Sequence, residues 1–319
     1  MDYVFAVRSL SKGTFTNEPG ATHFLEVPGN SATPKPAHKI SKRAWLDKVI
    51  ARSKQGGSSG PEEGDIVIYV HGFNNDQKSV LRRQRALRKG LEAHGFDGVV
   101  IAFDWPSADS AFNYLEDRKD AKATAIKLVD EGIRSFAALQ TQDCKINTHI
   151  VAHSMGCYVV REAFDDADDR RSIAARSWSV SQVAFLGADV SASSMAPGNP
   201  KTSSLYRHCV RLTNYFNPFD NVLKLSSVKR VGVSARAGRI GVERPEPDKL
   251  VDLNCGPYFE KEEGVITGQD DSAHNWYFSD ARVLEDLAHT IRGNIDRRLI
   301  PTRAPTNLGG LALRHPKDG

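Results

Sequence analysis

The stretch Thr148–Phe164, "THIVAHSMGCYVVREAF", decides how the rest of the chain is read. Its first half is a short apolar run suited to a buried strand, and its second half has the make-up of a helix. One serine, Ser154, stands between them, with Ala152 and Gly156 two residues to either side. A strand that turns into a helix through a single residue brings those two flanking backbones against neighbouring elements, so both positions need small side chains. Gly156 meets this need, and Ala152 meets it less permissively than glycine would. Such a turn lifts the serine hydroxyl out of the sheet, beside the N–H groups that begin a helix. The commonplace alternative is a serine that merely caps a helix. The surrounding pattern favours a nucleophile.

That pattern is a repeat of strand and helix. "DIVIYVHG" leads to the basic helix "QKSVLRRQRALRKGLEAHG", and "DGVVIAFDWP" leads to a long helix from about Ala108 to Leu139. After the opening stretch come the strands "WSVSQVAFLGAD", "HCVRLTNYFNP" and "KLVDLN", then the closing helix "DARVLEDLAHTIRGNIDRR". In that helix Leu284, Leu287, Ile291, Ile295 and Leu299 form one stripe. Alternating apolar strands and helices imply an α/β architecture, a mostly parallel sheet with crossover helices on both faces. Upstream, "YVFAVRSL" and "THFLEVP" read as strands, and Ser41 caps a helix that buries Trp45, Leu46, Val49 and Ile50. The Gly/Ser loop Lys54–Gly64 closes this segment. The expected organisation is therefore residues 1–64 packed on the main sheet, a catalytic domain over 65–300, and a mobile tail over 301–319.

Composition narrows the class. Apolar residues make up 40% and charged residues 26%, as in ordinary globular proteins. The longest apolar runs, "IVIYV" and "VVIAF", fall far short of the ~20 residues that span a bilayer. No basic segment followed by an apolar core opens the chain, so no secretory signal is read. Cys144, Cys157, Cys209 and Cys255 lack metal-type spacing and read as reduced thiols of a cytoplasmic protein. The net charge of +4 does not point to nucleic acid. In the basic helix, Val80, Gln84, Leu87 and Leu91 follow helical spacing, which sends most of the basic groups to a solvated outer face; an anionic partner is the alternative.

In parallel sheets function gathers at the carboxyl ends of strands. At the end of the first strand of the series, the His71–Gly72 pair frees the chain to turn the Phe73 amide toward the serine. With the amide of Met155 it would make a two-donor oxyanion hole. His71 itself reads as a buried residue that orients the loop. A general base is expected late in the chain, and His274 in "QDDSAHNWYFSD" suits it better than His289 inside a helix or His315 in the tail. His153 adjoins the serine, but strand alternation sends its side chain to the other face. The carboxylate partner is Asp220 in "NPFD" or, alternatively, Asp189 in "LGAD". Asp104 precedes the serine and reads as a brace for the "HGFNN" loop. Trp105, Phe112 and Tyr114 follow a strand end, where they line a substrate pocket or simply fill the core.

The order Ser154, Asp220, His274, with "HGFNN" upstream, resembles the α/β-hydrolase superfamily. More narrowly, "VHGFNND", "FDWPS", "VAHSMG", a strand-end Asp followed by "VLKLS", and "HNWYF" resemble a bacterial hydrolase family known as domain of unknown function 900, over about Asp65 to Asp280. The resemblance implies a serine nucleophile, an acid after the penultimate core strand, a late histidine and no cofactor or metal. These carry over to Ser154, Asp220 and His274, with Phe73 and Met155 at the oxyanion. Ala152 departs from the first glycine of the superfamily pattern. The expected activity is hydrolysis of carboxylic esters, thioesters or small amides, the partner being a small acyl compound. An acyltransferase on the same triad and a non-catalytic binding scaffold are the alternatives. The loop "VSASSMAPGNPKTSSLYRH" offers no long apolar lid helix, which favours a soluble ester over bulk lipid. Neither substrate identity nor oligomeric state follows from the resemblance.

Overall fold

The fold is taken from a computed structural model that describes residues 1–54, 62–107, 114–139, 144–175, 177–228, 235–262, 272–307 and 309–318. Eleven strands form one sheet: β1 (Asp2–Ser11), β2 (Thr14–Val27), β3 (Lys39–Ile40), β4 (Glu62–Val70), β5 (Val99–Asp104), β6 (Cys144–His153), β7 (Val180–Leu186), β8 (Cys209–Phe216), β9 (Leu250–Asn254), β10 (Arg303–Pro305) and β11 (Leu311–Leu313). Their order is β10-β11-β9-β8-β7-β6-β4-β5-β1-β2-β3. The run from β1 to β11 is parallel, and the antiparallel pairs lie at the two margins. The central pair, β4 and β6, is in register over nine positions, from Glu62 opposite Cys144 to Val70 opposite Ala152.

Both faces of this sheet are covered because its strands are apolar in both parities. On β4, Ile66, Ile68 and Val70 enter one core layer, while Val67 and Tyr69 enter the other. The first layer packs on helices Lys42–Ser53 and Met155–Asp169. The second packs on helices Gln77–Ala93 and Ala281–Arg292. The sheet order sets the ends of β4, β6, β7 and β8 side by side, so the loops carrying Phe73, Ser154, Asp189 and Asp220 share one edge.

The N-terminal segment extends the sheet instead of standing apart. β1 runs parallel to β5, and Trp45 is fully buried with its indole N–H donating to the Leu25 carbonyl at 3.1 Å. Most of the Gly/Ser loop, 55–61, lies outside the described residues. Three expectations need correction. The outer face of the basic helix is not simply solvated, since Arg85 and Arg88 both pair with the buried Asp2 carboxylate, and one basic residue, Arg83, lies on the inner, buried stripe. The closing helix stops at Arg292, because Gly293 takes a left-handed φ of +63°, so Ile295 and Leu299 lie beyond it. The tail is not loose. β10 and β11 form a hairpin that adds to β9, and Arg303 reaches into the core.

Burial of a charge explains that docking. Arg303 and Asp286 are both fully buried and joined by two hydrogen bonds, at 2.7 and 2.8 Å. The Tyr215 hydroxyl donates to the same carboxylate at 2.7 Å, and Thr302 donates as well. Burial alone would raise the Asp286 carboxyl, but Arg303 and these donors hold it below the ordinary carboxylate range. Removing one partner of such a pair leaves an uncompensated charge in the core and costs about 3–5 kcal/mol. Arg303→Met should therefore lower the denaturant midpoint strongly, and adding Asp286→Leu should restore most of the loss. Equilibrium unfolding of the single and double variants measures both.

Candidate active site

Ser154 follows the last residue of β6 with φ +55° and ψ −123°, and the helix Met155–Asp169 starts at the next residue. A non-glycine residue in such a region costs about 1–3 kcal/mol, so its surroundings must hold it there. Three backbone hydrogen bonds do so. The Ser154 amide donates to the Leu186 carbonyl at 3.0 Å, and its carbonyl accepts from the Cys157 and Asp189 amides, each at 3.1 Å. Gly156 is obligatory: a Cβ there would lie 2.4 Å from the Val70 carbonyl oxygen and 2.5 Å from that of His71. Gly72 passes so close that its Cβ would meet the Ser154 Cβ at 2.8 Å. Ala152, by contrast, sits in regular register between Val70 and Phe185 with its methyl in the core. The strain belongs to Ser154, not to Ala152.

The Ser154 hydroxyl lies 2.8 Å from Nε2 of His274, and Nδ1 of His274 lies 2.6 Å from Oδ2 of Asp220. Asp220 is fully buried, and its other oxygen accepts the Leu223 amide at 2.9 Å as it caps the following helix. A carboxylate so placed fixes the proton on Nδ1 and leaves the Nε2 lone pair facing the serine. Asp189 does not reach the imidazole. It forms a buried ion pair with Arg236 at 2.8 Å, and its amide helps hold the elbow.

The Phe73 loop is wound around its own side chains. Asn75 donates to the carbonyls of Gly72 and Phe73, both at 2.9 Å, and His71 Nδ1 donates to the Gly72 carbonyl at 2.8 Å. The Gly72–Phe73 peptide is trans, so its N–H points opposite to that occupied carbonyl. The Met155 amide opens the elbow helix. Trp105 is not a pocket wall. It is fully buried, stacks on His71 at 5.2 Å between ring centres, and donates its indole N–H to the His71 carbonyl at 2.8 Å. Phe112 lies outside the described residues, and Tyr114 begins the helix Tyr114–Lys127. Asp104 braces the loop from below. Burial would raise its carboxyl, but Arg8, bound at 2.8 Å, brings it down to about 2. Arg8 also donates to the Asn75 carbonyl at 3.3 Å.

Two further groups steady the loop that carries His274. His153 faces away from the hydroxyl and donates Nε2–H to the His274 carbonyl at 2.7 Å. Burial, then the nearby charges of His274 and Arg83, push its imidazole far below the ordinary value and keep it neutral. Arg83 reaches from the basic helix to Asn75 Oδ1 at 2.7 Å and to Asn275 Oδ1 at 2.9 Å, with its guanidinium over the Phe278 ring. It thus ties the Phe73 loop to the His274 loop. The sequence held a signal for it: Arg83 falls on the same helical stripe as Val80, Gln84, Leu87 and Leu91, where a charge needs a buried partner. Among the described residues no group of three His, Cys, Asp or Glu side chains is placed to hold a metal ion. No described helix is long and apolar enough to cross a membrane.

A mostly parallel sheet with a strained serine between strand and helix, a late histidine and a strand-end acid defines the α/β-hydrolase class. Within it, residues 41–253, two thirds of the chain, match the family described as alpha/beta hydrolase of unknown function (DUF900), and the chain belongs to that family. His274 lies beyond the matched span. No curated protein matches the chain. Among solved structures, a cutinase-like protein from Cryptococcus sp. is 12% identical over 75% of this chain and 97% of its own, with a TM-score of 0.34. Aspergillus fumigatus lipase B is 11% identical over 86% of this chain and 66% of its own, with a TM-score of 0.43. An esterase/lipase from an uncultured bacterium is 12% identical over 84% and 94%, with a TM-score of 0.37. Likeness of this degree says nothing of substrate.

Arg83→Met removes both anchors at once. It should lower kcat on a soluble ester about ten- to hundredfold with little change in KM, since small misplacements of reacting groups act on the chemical step. Arg83→Lys should recover thermal stability more than it recovers kcat, because an ammonium cannot span both amides.

Proposed function

We propose that this protein is a serine hydrolase of carboxylic esters, with thioesters and small amides within the same chemistry. The observation that carries this reading is the continuous relay Ser154–His274–Asp220, with contacts of 2.8 and 2.6 Å. A serine hydroxyl is a weak nucleophile until a base takes its proton. His274 Nε2 accepts that proton as Ser154 Oγ attacks the acyl carbonyl, and Asp220 stabilises the imidazolium that forms. The developing oxyanion lies between the amides of Phe73 and Met155, where each donor is worth about 10²–10³ in rate. His274 then protonates the leaving group. In the second half the same imidazole takes a proton from water, which attacks the acyl-enzyme and frees the acid.

A binding scaffold has no need of this arrangement. It would hold a strained serine at a cost without using the hydroxyl that the strain presents. The compartment we read as the cytoplasm, where Cys157, Cys209 and Cys255 would remain the buried free thiols they are here.

Ser154→Ala should abolish turnover of p-nitrophenyl butyrate and labelling by a fluorophosphonate probe while leaving the unfolding midpoint nearly unchanged. Persistent turnover in that variant would exclude Ser154 as the nucleophile. Asp220→Asn keeps the shape but permits the wrong tautomer, and should lower kcat by about 10⁴. Asp189→Asn disturbs an ion pair outside the relay and should cost far less kcat. Steady-state kinetics on the two variants separate the candidate acids.

A further inference from the structure

Beside the elbow lies a cavity of about 220 Å³, lined by Tyr158, Arg161, Asp189, Ser194, Lys201 and Arg236 among others. It adjoins the nucleophile in two ways. The Asp189 amide is bonded to the Ser154 carbonyl, and Tyr158 and Arg161 follow Ser154 by four and seven residues, on the same side of the helix. Seven residues of helix rise about 10 Å, and helical side chains lean back toward the N-terminus. The Arg161 guanidinium does lean back, lying 4.9 Å from the Tyr158 ring centre.

The lining is polar and carries more positive charge than its carboxylates offset. Asp189 is paired with Arg236, and Glu162 is shared between Arg161 and Lys122. Lys201 has no carboxylate within ion-pair distance among the described residues. Arg161 is only 6% exposed and donates one N–H to Ser194 Oγ at 3.2 Å, yet its Nε has no hydrogen-bond partner. A buried guanidinium N–H without an acceptor is costly unless a bound group completes it.

We infer that this cavity is the subsite for a carboxylate at the far end of the substrate's acyl chain, so that the preferred substrates are monoesters of dicarboxylic acids. The inference rests on Ser154 being the nucleophile. The acyl side is assigned by the two faces of the sheet. The leaving group must face His274, whose neighbours Trp276, Tyr277 and Phe278 belong to one core layer. The cavity is built from Tyr158, Val190 and the elbow helix, which belong to the other. An acyl chain directed there would bring its terminal carboxylate to Lys201, beside the Arg161 side chain, and attack at Ser154 would release the alcohol on the opposite side.

The test compares p-nitrophenyl hemiadipate with p-nitrophenyl hexanoate, which has the same chain length but ends in a methyl group. Wild-type kcat/KM should favour the hemiadipate about tenfold, the scale of one charge-assisted contact. Lys201→Glu should bring that ratio to one or below. A ratio near one in the wild type, or one that Lys201→Glu leaves unchanged, overturns the subsite. Calorimetric titration of adipate and hexanoate keeps carboxylate binding apart from turnover, because it needs no catalysis. If neither ester turns over but adipate binds about tenfold tighter, and Lys201→Glu removes the difference, the cavity binds a carboxylate but is no acyl subsite, and the inference falls together with the hydrolase reading. Adipate binding no tighter than hexanoate overturns the subsite whether or not the esters react.

Discussion

The backbone of Ser154 is held where an L-residue does not rest by choice, and the carboxyl edge of the sheet is arranged around that fact. The conformation persists because β7 supplies an acceptor for its amide while Asp189 and Cys157 supply donors for its carbonyl. It also needs two empty places: Gly156 against the carbonyls of Val70 and His71, and Gly72 against the serine itself. A methyl group at either position would push β4 away from the elbow. The strain, the two glycines and the β4–β6 register therefore form one constraint. The hydroxyl meets His274 because of it.

Around that constraint the loops are held from outside by buried arginines. Arg8, from the N-terminal strand, fixes Asp104 and the Asn75 carbonyl. Arg83 joins Asn75 to Asn275, and His153 donates to the carbonyl of His274 itself. Arg8 lies outside the span that matches the family, as does His274. The first strands thus do more than widen the sheet: they steady the loop that presents the Phe73 amide. At the other margin, Arg303 fastens the final hairpin through Asp286. Each guanidinium reaches partners that a shorter cation could not bridge.

Much of the architecture is visible in local patterns. Two-residue alternation marks both faces of β4, and the switch from strand to helix period at Ser154 marks the elbow. Local patterns stay ambiguous where one residue type serves two ends. Trp105 follows a strand end, as a pocket residue would, yet its indole N–H is used on His71. The tail is rich in Pro and Gly, as mobile segments are, yet Arg303 finds a carboxylate waiting in the core. The apolar stripe of the last helix continues in the sequence past Gly293, and the left-handed residue ends the helix there.

The sequence alone determined the central strands and helices, their alternation, and the placing of a serine and two acids at strand ends with a histidine late in the chain, because these follow from spacing along the chain. Only the tertiary structure brings one of the two acids against the histidine. Asp220 and Asp189 both follow apolar strands, and nothing local distinguishes them. The difference is made by Arg236, which takes up Asp189, and by the loop of His274, which is carried to Asp220 across more than fifty residues. The same holds for Arg83, whose contact with Asn275 spans 192 positions. Hydrogen bonds between side chains depend on separation in space, and separation in sequence does not predict it once the chain has folded on itself.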